Sequence, residues 1–304
     1  MGNIIDVIIV GGGCAGLSAA LILGRCRRRT IVVDQGAPRN SASPALHGFL
    51  TRDGMNPAEF LETARLQLEI YSTVECRRAE VRDARSRAGA FEILLTDGVL
   101  LHSRKLLLAT GVRDNLPDIP GISEFFGSSV FHCPYCDGWE FRDQPVAVWG
   151  RGKRGFGLAL ELLTWTSDIL LCTDGPSGLS SHQRSILSRN HINVVETRIE
   201  RLEGRHRQLE TLVFVDGNSL QKRALFFSLG QEQRSDLPGK LGCRFTTKGA
   251  VQTGKYESTN IPGLYVAGDA SRDVQFAIVA AAEGAEAAFA VNTALAKEDR
   301  MRIT

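Results

Sequence analysis

The chain has 304 residues, 43% of them apolar and 23% charged, with a formal net charge of +2. That length can bury one large or two medium cores, the composition excludes a disordered chain, and the charge balance excludes a polyanionic partner such as nucleic acid. The first predicted element is the apolar strand of "DVIIVGGGCAG", which runs into Gly11, Gly13 and Gly16 and then into a helical stretch. Glycines at this spacing between strand and helix permit a tight turn and close backbone approach to a pyrophosphate, whose charge the helix N-terminus favours. A second apolar strand ends in Asp34, an acceptor for a ribose hydroxyl. The basic run Arg25, Arg27, Arg28 and Arg29 falls where the helix should end and reads as a solvated helix terminus.

Further along, "FEILLTDGVLLHSRKLLLATG" predicts a hairpin turning at Asp97-Gly98 and a strand ending at Ala109, Thr110 and Gly111. Pro117, Pro120 and Gly121 then read as a linker. Residues 145–174 repeat the opening pattern, with Gly150, Gly152 and Gly155 in the loop and Asp174 after the second strand. In this copy a working dinucleotide site and an altered or empty one both stay open, because Arg151, Lys153 and Arg154 either contact phosphates or project into solvent. "SDLPGKLGC" at 235–243 reads as a return crossing, "NIPGLYVAGDAS" as a strand ending in Gly268-Asp269, and Ala277 to Ala296 as a helix. The expected architecture is α/β: two Rossmann-like three-layer domains, with 117–240 inserted between the halves 1–116 and 241–304 of the other.

Between the two copies lies "FHCPYCDGWE". A zinc site commonly needs four ligands. No second C-x-x-C exists, and His132 adjoins Cys133 too closely to complete a tetrahedron with it, so no metal is expected. As a redox pair, Cys133 and Cys136 can close a disulfide across one turn, one sulfur attacking an outside sulfur and the other resolving it. Seven cysteines, an odd number in a long chain, do not make a disulfide framework. The apolar run starts within five residues of Met1, so no signal peptide is expected, and no apolar stretch reaches the roughly 18 residues of a membrane span. A reducing, cytoplasmic setting without membrane attachment follows as the expectation. Cys14 reads as a small packing residue, Cys26, Cys76, Cys172 and Cys243 as structural, and Trp139, Trp149 and Trp165 as core or interface aromatics, with Trp139 near enough to the cysteines to shape substrate access.

"GGGCAG", "ATG", "CPYCDG" and "GLYVAGD", in this order and over nearly the whole chain, resemble the low-molecular-weight thioredoxin reductase family of FAD-dependent pyridine nucleotide-disulfide oxidoreductases. The resemblance implies that the outer domain binds FAD, with Gly11, Gly13 and Gly16 at its pyrophosphate, Asp34 at the adenosine ribose and Asp269 at the ribityl chain. Thr110, Gly111, Gly268, Gln275, Phe276 and Ala277 complete the implied cofactor set. It also implies that Cys136 faces the flavin, that Cys133 attacks the substrate sulfur, that Asp137 relays a proton, and that the protein is a homodimer joined through its FAD domains.

Three features depart from that pattern. The basic cluster that grips the 2′-phosphate of NADPH is replaced by "CTDGPSG", where Asp174 repels a phosphate and Arg184 lies ten positions later. The family's arginine-glutamine pair aligns with Gln275-Phe276. "SPALHGFLTRDGMNPAEF" resembles the branch that includes dithiol oxidases of disulfide-bearing natural products, with His47, like His132, either an ordinary surface residue or one on the flavin or substrate side. The leading expectation is a flavin-dependent thiol-disulfide oxidoreductase acting on a thioredoxin-like protein or a small dithiol or disulfide. Run as a reductase, it has NADPH as a poor candidate for electron donor, and NADH, a reduced protein or a second flavin as the alternatives. The alternatives are an oxygen-using dithiol oxidase and, in a different class, a non-catalytic flavin-binding regulatory protein.

Overall fold

Residues 5–87 and 89–301 are described by a computed structural model of the chain. Two units make it up: one contains residues up to 41, 48–113 and from 232 onward, the other 42–47 and 114–231. The first begins with strand β1 (Ile5–Val10), helix α1 (Cys14–Arg25) and strand β2 (Thr30–Asp34). Helix α2 (Pro57–Leu68) starts at a proline that needs no N–H partner, and the Asn56 side chain accepts from the Ala58 N–H at 2.9 Å. Strands β3 (Val74–Arg78), β4 (Val81–Arg87), β5 (Ala90–Leu95) and β6 (Leu100–Leu108) follow.

Strand β7 (Val112–Asp114) leads into the second unit. There the chain forms α3 (Ile122–Phe125), β8 (Val130–Phe131), α4 (Pro134–Asp137), β9 (Val146–Trp149), α5 (Gly152–Glu161), β10 (Ile169–Cys172), α6 (Ser181–Arg189) and β11 (Asn193–Val195). An antiparallel ribbon, β12 (Ile199–Arg205), β13 (Gln208–Phe214) and β14 (Ser219–Gln221), precedes β15 (Ala224–Phe227). Strand β16 (Gln231–Gln233) pairs with β7, and the chain ends in α7 (Leu237–Lys240), β17 (Leu264–Val266) and α8 (Ala277–Met301). The 235–243 stretch is therefore not a bare crossing: Leu237, Leu241 and Cys243 are buried in a core cluster of the first unit.

In the first unit the sheet order is β3-β2-β1-β6-β5-β4, with β17 parallel to the end of β6. Val7 and Ile9 are buried on one face, and Ile8 and Val10 on the other, the near-continuous apolar run of a strand covered on both sides. Helices α1, α2 and α8 cover the first face, while Ala84, Ile93 and Leu95 of the β4–β5 hairpin and Leu237 join the cluster on the second. Helices α1 and α8 touch backbone to backbone, since a Cβ at Gly284 would lie 2.0 Å from the Ala15 carbonyl oxygen. Arg28 is an anchor rather than the solvated terminus expected: its guanidinium donates to Asn292 at 2.8 Å and pairs with Asp299 at 2.6 Å.

Helix α8 also corrects the expectation that no stretch is long and apolar enough to cross a membrane. By length and composition it is. Its Ala280, Ala287, Ala288, Val291 and Leu295 are buried in the unit's core, and a soluble core helix passes the same test.

The second unit repeats the layering, with a parallel sheet in the order β11-β10-β9-β15-β8. Leu158 and Ala159 of α5 and Leu187 of α6 pack with one of its faces, and Leu202, Leu209 and Leu212 of the antiparallel ribbon with the other. Each unit is thus three-layered α/β, and each presents a glycine loop between a central parallel strand, β1 or β9, and the helix that follows, α1 or α5.

Candidate active site

In the first unit the glycine loop is built by contact. Gly11 has φ +107°, and a Cβ there would lie 2.2 Å from the Ala109 carbonyl oxygen, while one at Gly16 would lie 1.9 Å from the Gly11 oxygen. These two glycines hold the "ATG" strand end, the loop and the start of α1 together. Gly13, which caps α1, is the opposite case: nothing lies within 4 Å of its Cβ position. Beside this opening, Thr110 Oγ1 is buried without a hydrogen-bond partner. An open helix N-terminus and an orphaned hydroxyl are what a bound dinucleotide would satisfy, so these residues fit FAD.

Asp34, at the end of β2, lies so close to the loop that a Cβ at Gly12 would meet its carboxylate at 2.9 Å. Asp269 receives Arg39 at 2.8 Å, and the same guanidinium donates to Gln275 Oε1 at 2.6 Å, so one arginine orients both residues. The Gly268 N–H donates to Glu283 at 2.7 Å, and Glu283 pairs with Arg272 at 2.7 Å. Burial pushes the Glu283 carboxyl up to about 7. Phe276 accepts from the Ala280 N–H at 2.9 Å, which sets Phe276 at the entry of α8 ahead of Ala277. Burial, and then the charge of Asp269, pushes the Cys14 thiol up to about 11, which keeps it protonated and inert.

The second glycine loop differs. A Cβ at Gly155 would again meet backbone, the Gly150 oxygen at 2.2 Å. Here, however, the Gly152 N–H at the start of α5 already donates to the Ser177 carbonyl at 2.9 Å. Arg151 Nε donates to the Thr173 carbonyl at 2.6 Å, and its guanidinium lies 3.8 Å from Asp174. Ser177 is fixed in turn, with Arg184 donating to its hydroxyl at 2.6 Å and to Glu196 at 2.7 Å. The chain's own 173–178 segment therefore takes one N–H of this loop and the Arg151 side chain, a difference from the first loop.

Cys133 and Cys136 form a disulfide with Cα atoms 5.3 Å apart. Cys133 caps α4: its Sγ accepts the Cys136 N–H at 3.1 Å, and Pro134 follows at the first helical position. That N–H would also stabilise a thiolate on Cys133 once the bond opens. Burial and then the charge of Glu140 push the Asp137 carboxyl up to about 7. His47 Nε2 stands 3.6 Å from Glu140 Oε1, and His132 Nε2 stands 3.8 Å from Asp114 Oδ1. Tyr135 and Trp139 are 65% and 63% exposed beside the disulfide, so Trp139 is a surface aromatic and not a core one. Cys26 and Cys76 are likewise exposed rather than packed, while Cys172 and Cys243 are buried. Among the described residues no group of three or more His, Cys, Asp or Glu side chains could hold a metal ion.

The pattern of the pyridine nucleotide-disulphide oxidoreductases matches residues 5–284. The chain belongs to this family. It is 32% identical to the thioredoxin reductase tcpT of Claviceps purpurea over 282 residues, 88% of this chain and 87% of that one. The solved structure of HlmI has a TM-score of 0.95 at 36% identity, covering 100% of this chain and 96% of its own. An oxidoreductase from Agrobacterium tumefaciens has a TM-score of 0.90 at 34% identity, covering 96% and 99%. The protein is therefore a thioredoxin reductase-like, flavin-dependent disulfide oxidoreductase, and the non-catalytic alternative falls.

For this oxidoreductase the sequence motifs reached the glycine loops and the cysteine pair but missed Arg39, Glu140 and Ser177. Only Glu140 left a local signal, its position three residues after Asp137. Gly13→Trp is expected to abolish FAD retention without unfolding the apoprotein, because the side chain would enter open space and not the core. Absorbance at 450 nm together with a thermal melt checks this; normal flavin content would remove the loop from the FAD site.

Proposed function

We propose that the enzyme oxidises small dithiols to disulfides through Cys133 and Cys136, with FAD and then oxygen as electron acceptors and without a nicotinamide donor. The observation that carries this reading is the Ser177 carbonyl on the Gly152 N–H, which takes one donor of the second glycine loop with the chain's own backbone. The missing basic cluster and Asp174 support it.

A substrate thiolate forms a bond to Cys133 Sγ while the Cys133–Cys136 bond breaks. Cys136 leaves as a thiolate and takes the proton of Asp137, whose elevated pKa keeps that proton available near neutrality. The second substrate thiolate then attacks the first substrate sulfur, and Cys133 leaves as a thiolate beside the Cys136 N–H. The substrate has lost two electrons and two protons, and the enzyme disulfide has gained two electrons. FAD, held by Gly11, Gly13, Gly16, Thr110 and Asp269, would supply the two-electron acceptor that restores the disulfide. In the return step Asp137, now a carboxylate, takes the proton back from Cys136.

A second reading draws on the thioredoxin reductase names of the relatives: the same groups run in reverse, reducing a thioredoxin-like protein with electrons from NADH, another reduced protein or a second flavin.

Anaerobic mixing with NADPH, NADH and a dithiol in turn, followed by air, separates the two. The dithiol should bleach the flavin, and air should restore it with release of hydrogen peroxide. NADPH should act at least about tenfold less efficiently than in a relative with the basic cluster, since a lost charge-assisted phosphate contact costs roughly 1.5–3 kcal/mol. Rapid bleaching by NADPH would overturn the reading.

A further inference from the structure

Residues 42–47 belong to the second unit although the sequence on both sides belongs to the first. The strap is seated at its start. Arg207 donates to the Ala42 carbonyl at 2.8 Å and to the Phe126 carbonyl at 3.0 Å. Gly127, at φ +78°, lies so close that a Cβ would meet the Ala42 carbonyl carbon at 2.7 Å. At its far end, His47 stands 3.6 Å from Glu140. Glu140 lies in the single turn Trp139–Phe141 that follows α4, three positions after Asp137, a spacing that brings side chains of successive helical turns together.

We propose that His47 and Glu140 are a positioning pair for the redox centre, setting the charge beside Asp137 and hence the pH range over which it protonates Cys136. The inference rests on thiol-disulfide exchange at Cys133–Cys136, and is independent of the direction of electron flow and of the final acceptor. The negative charge of Glu140 raises the Asp137 pKa, second only to burial. A proton on His47 would place a positive charge 3.6 Å from Glu140. Of the charged groups in the same stretch, Arg142 stacks 4.2 Å over the Trp139 ring and donates to the Trp139 carbonyl at 3.0 Å, and His132 faces Asp114. Within the strap, Ala42 to Leu46 bring no other charge. The pair moves no electrons. Its role is exerted through Asp137, whose proton passes to Cys136 Sγ as the S–S bond breaks.

The test is the single-turnover opening of the disulfide by dithiothreitol, run anaerobically on the FAD-loaded enzyme from about pH 5 to 9.5, quenched with iodoacetamide and read by protein mass. In the wild type the rate should climb about tenfold per pH unit as the dithiol ionises. It should flatten near pH 7, where Asp137 loses its proton as fast as the dithiol gains thiolate. Glu140→Gln should move that break to lower pH and His47→Asn to higher pH, each by about half a unit or more. The double variant should match Glu140→Gln, because His47 acts through Glu140. His47→Gln replaces His47→Asn if the latter melts at a lower temperature than the wild type. Breaks that stay in place, shifts in the same direction, or a uniform fall in rate at every pH would overturn the proposal while leaving the exchange reading intact. Failure of dithiothreitol to open the wild-type pair would overturn both.

Discussion

Cys136→Ser is expected to lose at least roughly 10³-fold in turnover and to accumulate a mixed disulfide on Cys133 when offered a disulfide probe such as 5,5′-dithiobis(2-nitrobenzoate). The surviving sulfur sits at the N-cap of α4, where the N–H of residue 136 favours its thiolate, and the sulfur that would resolve the adduct is gone. Cys133→Ser should fall as far without trapping the probe at residue 136, because that thiol lacks the N–H and adjoins Asp137 instead, and labelling at the exposed Cys26 and Cys76 should be the same in both variants. The two losses should not add in the double variant, since each removes the same disulfide. Peptide mass mapping locates the adduct. Capture on Cys136 in place of Cys133 would reverse the assigned roles.

Gly16→Ala and Gly155→Ala form a matched pair with different outcomes. In each, the new methyl would sit impossibly close to a carbonyl oxygen, Gly11 at 1.9 Å or Gly150 at 2.2 Å, and the obstacle is backbone that no rotamer change can move. Each should cost roughly 1–3 kcal/mol, a fall in Tm of several degrees. Only Gly16→Ala should also purify colourless, because the shift opens the FAD loop, whereas Gly155→Ala should remain yellow with normal dithiol oxidation. Loss of FAD from Gly155→Ala would contradict the assignment of FAD to the first glycine loop.

The parts of the fold that were legible in the sequence are those specified by short-range chemistry. Asp97-Gly98 predicts a hairpin, and Gly98 indeed takes φ +88° between antiparallel β5 and β6. The glycine loops announce themselves because side chains there would collide with backbone. The turn between β12 and β13 gave no such signal: His206 and Arg207 adopt φ +52° and +63° without a glycine or asparagine to mark it. The Arg39–Asp269 pair was equally invisible, with 230 positions between donor and acceptor. The strap 42–47 reads as part of its flanking segments because nothing in its own residues names Arg207 or Gly127 as its partners. Where tertiary contact decides a side chain's role, as for His47, local pattern left two readings open and the structure supplied the neighbour.

The backbone contact between Gly284 and Ala15 bears on the order in which the protein can be made. A chain emerging from the ribosome N-terminus first presents β1 and α1 about 250 residues ahead of the helix that buries their outer face. Until α8 is made, Ala19, Ala20 and Leu23, all fully buried in the finished unit, have no α8 to cover them. Apart from the strap, the second unit is contiguous and can fold while the first waits. Closing the first unit requires a contact across about 270 residues, whose loop entropy must be overcome before the contact stabilises anything. The cofactor loop is therefore completed only after α8 docks, so flavin retention depends on a contact between segments far apart in the sequence.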